Sequence, residues 1–191
     1  LPPGTYQVTA SAVGYQSSTG TAVINGSSYA SLDFSLAPDT GTGSTLTFSP
    51  TADATVKNTN PTKNYGTGIT LLLRKGDASN TTTNTSYLRF AVSGLTGRAV
   101  SSARIQLKVT DAGPQGGTLY RTSNSWTETG VTWSTSPPAD GAALAVIGAV
   151  TTGQWIDVPL PTGTVAGDGQ LDLVLLAGSS NSVYYASRES A

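Results

Sequence analysis

The chain has 191 residues, a formal net charge of −1, and only 11% charged residues. With no Cys and no His, a disulfide framework, a thiolate metal site and an imidazole general base are all excluded. The near-zero charge argues against a nucleic-acid binder, and the longest apolar run, residues 173–177, is far short of the roughly 20 residues of a bilayer span. Gly, Ser, Thr and Asn are abundant and no long helical period is present, which is a β-rich, extracellular composition. All ten Lys and Arg fall between Lys57 and Arg188. The missing initiator Met leads us to expect a piece of a longer precursor.

Residues 1–38 open with Leu-Pro-Pro-Gly-Thr-Tyr, a turn leading into a strand over residues 7–12. Further strands are expected over 21–24 and 29–36, around the hairpin signal Asn25-Gly26. Residues 39–44 have linker composition. The domain over 45–191 begins with short strands at 46–48 and 52–56. A turn-rich loop with Asn58, Asn60, Pro61 and Asn64-Tyr65-Gly66 follows, then strands at 70–74 and 86–92. In the last of these, Leu88, Phe90 and Val92 alternate with Tyr87, Arg89 and Ala91, so Arg89 is expected on a sheet face. Residues 100–110 alternate cleanly, with Ala103, Ile105, Leu107 and Val109 inward and Arg104, Gln106 and Lys108 outward. Short strands are expected at 118–122, 131–133, 144–150, 154–160, 171–176 and 182–186. Such spacing predicts an all-β chain: a jelly-roll-type β-sandwich preceded by a partial small β-sandwich.

The run TFSPTADATV…NPTKNYGTG…LLLRKG…SYLRFAVSGL, continued by SNSWTETGVTW…SPP, resembles the DNRLRE-type domain of secreted microbial proteins. Some members are carbohydrate-binding modules for acidic polysaccharides such as alginate. Residues 1–38 are similar to the end of a carboxypeptidase-regulatory-like β-sandwich. In the DNRLRE-type pattern one more strand follows Ala191, so either the sequence is cut short or the sheet is expected to have an open edge.

Several side chains are candidates for ligand contact. Lys57, Lys63, Arg74, Lys75 and Arg89 can form a basic face for uronate carboxylates, Arg in bidentate fashion, or simply keep the sheet soluble. Arg188 is a further candidate, because the Ser-Arg-Glu run close to the final strand places it beside the first strands if the resemblance holds. Trp155 is expected to point outward with Asp157, while Tyr65 and Tyr87 are open to either stacking or burial. Trp126 and Trp133 read first as a packed corner. Asp53, Asn58, Asn64 and Asp77 offer oxygen ligands suited to a structural Ca²⁺, although no cofactor is required. With Glu128 and Glu189 the only glutamates and no carboxylate pair marked, an enzyme is the least supported reading. The expected partner is a polysaccharide, outside the cell or on its surface. The alternative is a filament, stalk or adhesin subunit that self-associates by β-strand addition at open sheet edges.

Overall fold

The computed structural model describes residues 2–12, 15–26, 31–37, 44–95 and 98–190. Two compact units emerge: Leu1–Thr47 with Gly97–Ala99, and Phe48–Thr96 with Val100–Ala191. In the first, β1 (Gly4–Ala10) and β2 (Ser18–Ile24) form an antiparallel hairpin. The expected third strand is not seen. Residues 27–30 lie outside the described residues, and residues 31–36 form no strand. Most of the expected linker also lies outside them.

The second unit holds β3 (Pro50–Lys57), β4 (Thr70–Leu73), β5 (Asn84–Val92), β6 (Ala103–Asp111), β7 (Gly117–Thr122), β8 (Ala139–Ile147), β9 (Trp155–Leu160), β10 (Gly169–Leu176) and β11 (Val183–Ala186). They form two sheets, ordered β3-β5-β10-β7-β8 and β4-β11-β6-β9. From β4 onward the pairing is nested: β4 with β11, β5 with β10, β6 with β9, β7 with β8, each antiparallel. That rolled-up pattern is a jelly roll, with β3 added at the edge of one sheet.

Between the sheets the core gathers Leu71, Leu73, Leu88, Leu107, Val109, Leu119, Leu173, Leu175 and Tyr185, among others. A second cluster lies on the other side of β3, β5 and β10, where Ala52, Ala54, Val56, Tyr87 and Val174 meet Trp126 and Val131. The near-continuous apolar run of β10 reflects this double cover, since every residue from Leu171 to Leu175 is buried. Small side chains on the outer face of β3 make room for Trp126.

Two expected strands are turns or irregular chain instead. Residues 46–48 form no strand, although Phe48 packs on the core. Residues 131–133 belong to a covering loop closed by Val131 N–H to Thr127 O and Thr135 N–H to Thr132 O. Val131 is buried and Trp133 half-buried because the loop lies on a sheet, and not because they alternate within one.

Candidate functional site

At the edge where β3 and β4 meet, β5 lies between two cations. Asn84 is the register partner of Lys57 on one side and bridges to Arg74 on the other. Asn84 therefore lies between Lys57 and Arg74 in the strand pairing. Asn84 Oδ1 and Arg74 Nε are both buried without a hydrogen-bond partner. Lys75, next along the chain, is exposed.

The loop after β3 adds an aromatic surface. Lys57 Nζ lies 4.3 Å and Lys63 Nζ 5.1 Å from the centroid of the Tyr65 ring, so the phenol face holds two ammonium groups. Tyr65 is fixed from both sides. The Asn64 amide donates to Glu128 O and Val131 O, both at 2.7 Å, and accepts from Gly66 N–H at 3.0 Å. Gly66 lies so close to the Glu128 carbonyl that a Cβ would collide with it. Ser134 N–H donates to Pro61 O at 2.9 Å and ties the same two loops again.

Three other expected ligand residues are engaged within the fold. Arg89 does lie on a face of β5, but that face is covered by the 123–138 loop. Its Nε pairs with Asp172 Oδ1 at 2.7 Å, its Nη2 donates to Asn124 O and Trp126 O, and its guanidinium lies 4.4 Å from the Trp126 ring centroid. Tyr87 is buried beneath the same loop and its hydroxyl donates to Pro137 O, with burial raising its pKa. Trp126 is buried as well, which agrees with its reading as a packed corner. Arg188 does reach β3, where its N–H donates to Asp53 Oδ2 at 2.7 Å. Its side chain pairs with Glu128 Oε1 at 2.7 Å and Glu189 Oε1 at 2.8 Å.

The four oxygen donors expected to share a Ca²⁺ do not converge. Asn58 bonds Thr81 O and Thr83 N–H, Asn64 holds the Tyr65 loop, and Asp77 accepts from Ser79 and Asn80 in its own turn. Those local bonds, the Ser79 hydroxyl first, keep the Asp77 carboxyl well below its ordinary range. Asp53 instead meets Glu128 and Glu189, with carboxylate oxygens within 4.8 Å of one another. Arg188 sits among them as counter-charge. Desolvation, followed by the neighbouring Glu189 and Glu128, pushes the Asp53 carboxyl up to about 6 against the pull of the Arg188 N–H. Glu128 and Glu189 are the residues that reasoning from the chain missed here, because nothing local links positions 53, 128 and 189.

Trp155 is 64% exposed on the outer face of β9, while Val158 and Leu160 turn into the core. Lys108 on β6 is its register partner. Lys108 and Arg104 were placed on an outer face by alternation, but nothing in β6 alone sets them beside an indole.

No curated protein matches the chain. Residues 44–191, which contain both sheets and the basic edge, match the model for carbohydrate-binding module family 96. The chain belongs to this family of non-catalytic sugar-binding modules.

Proposed function

We propose that the module binds an acidic polysaccharide of the alginate type, outside the cell, through the edge formed by Lys57, Lys63, Tyr65, Arg74 and Lys75. One observation carries the choice of ligand and of edge. Among the described residues, Arg89, Arg104 and Arg188 each have a carboxylate within 4.0 Å, whereas Lys57, Lys63, Arg74 and Lys75 have none. Cations already matched by a carboxylate gain little from an added anion, while along this edge four unmatched ones follow one another and attract it. Tyr65 keeps two of them in place, so less side-chain freedom is lost on binding. The likeness to alginate-binding domains supports the same ligand, and carbohydrate-binding modules typically belong to extracellular proteins.

In native affinity gels, alginate should retard the protein more than pectin does, and neutral glucans should leave it unretarded. Replacing Lys57 and Lys63 together by Ala should weaken alginate binding about tenfold, the equivalent of about 1.4 kcal/mol. The remaining affinity should fall less steeply with added salt than that of the parent protein. Equal mobility in alginate and neutral-glucan gels would overturn the proposal.

A further inference from the structure

The outer face of β6 and β9 carries groups that the basic edge does not use. Lys108 stands opposite Trp155, and Gln106 opposite Asp157. Asp157 is matched twice, by Arg104 Nε at 3.0 Å and by Gln106 Nε2 at 2.9 Å. Lys108 has no carboxylate within 4.0 Å among the described residues; its Nζ donates to Gly153 O and lies 5.7 Å from the Trp155 ring centroid. An exposed indole leaves in water a large apolar area that a polar residue at the same site would not. Neither β6 nor β9 exposes a second large apolar side chain. A protein partner would need a broader apolar centre. One aromatic disc rimmed by hydrogen-bonding groups and a single unmatched ammonium fits a pyranose, which has an apolar C–H face and a polar rim.

We infer that this face is a second sugar-binding site, separate from the basic edge, where one uronate ring stacks on Trp155 with its carboxylate at Lys108. The inference rests on the acidic-polysaccharide reading and deepens it. β4, which leads into Arg74 and Lys75, and β9, which carries Trp155, are the opposite edges of the four-stranded sheet, their axes about 14 Å apart. A polymer can therefore engage both at once or be bridged to a second chain, raising affinity for long ligands without any new contact type.

The test uses sodium alginate and the full chain. Trp155→Ala should weaken binding about tenfold, and Trp155→Phe, which keeps an aromatic face, should restore most of it. Alginate should also shield the parent protein's tryptophan fluorescence from acrylamide, because Trp155 is exposed while Trp126 is buried and Trp133 half-buried, and most of this shielding should be lost in Trp155→Phe. If Trp155→Ala binds as the parent does while the Lys57, Lys63 double variant is weakened, the second site is overturned and the basic edge stands. If the parent itself is not retarded by alginate, both fall.

Discussion

Gly66 is a single residue on which the basic edge depends. Its neighbour Tyr65 holds Lys57 and Lys63, and the backbone can approach Glu128 this closely only without a side chain. Gly66→Ala should destabilise the protein by about 2 kcal/mol or more, read as a lower urea midpoint. It should also weaken alginate binding without removing a charge. Asp53 makes a prediction of opposite character. Its carboxyl is raised from 3.8 to about 6 in the folded protein, so its protonated form is the one folding favours. Its contribution is complete below pH 3.8 and is lost as pH rises through about 6, a change of roughly 3 kcal/mol. The groups facing it are Arg188, Glu128 and Glu189. Urea titrations of the parent and Asp53→Asn should therefore diverge over this window, with the parent losing stability relative to the variant as pH rises; parallel curves would contradict the assignment. The Asn64-Tyr65-Gly66 turn was legible from turn chemistry alone. Its partner, the Glu128 carbonyl, was not, because that contact joins positions far apart in the chain.

At the scale of elements, the 123–138 loop acts as a lid over one face of the five-stranded sheet, and Arg89 links it to β10. Arg89 bonds two loop carbonyls, stacks on Trp126 and pairs with Asp172. With side-chain exposures of 15% and 4%, the pair is largely desolvated, and removing one partner leaves a buried charge. Asp172→Ala should cost about 3–5 kcal/mol in a denaturant titration. Loss of the loop's protection against hydrogen exchange should accompany it. Alternation in the sequence told correctly which way Arg89, Arg104, Lys108 and Trp155 leave their strands. It could not tell which of those faces would be covered. Residues 86–92 and 154–160 present the same period of two, yet one outer face is roofed by a distant loop and the other is open to water. Val131 and Trp133 suggested a strand for the same reason, because apolar residues beneath a lid and apolar residues in a ladder look alike along the chain.

At the largest scale, the decisive feature is the nesting that pairs β4, the first strand of the roll, with β11, the last. The spacing of strands and turns indicated a sandwich of this class, but the pairing order rests on contacts between distant segments that no local pattern encodes. Such closure predicts slow folding, on the scale of milliseconds to seconds, because the last strand must return to the first. Tyr185 on β11 is fully buried and its hydroxyl donates to Gly116 O at 2.7 Å. Tyr185→Phe, which removes that bond and leaves the Gly116 carbonyl unsatisfied, should lower stability by about 1–2 kcal/mol. Thr70, where β4 begins, is the register partner of Ala186, where β11 ends. Tension applied beyond Ser190 would therefore act at an end of the β4–β11 ladder and open it bond by bond, a weak geometry against force. Just past that end, Arg188 is clamped to Asp53 and Glu128. The clamp would act as a mechanical latch, taking the pull before the ladder does.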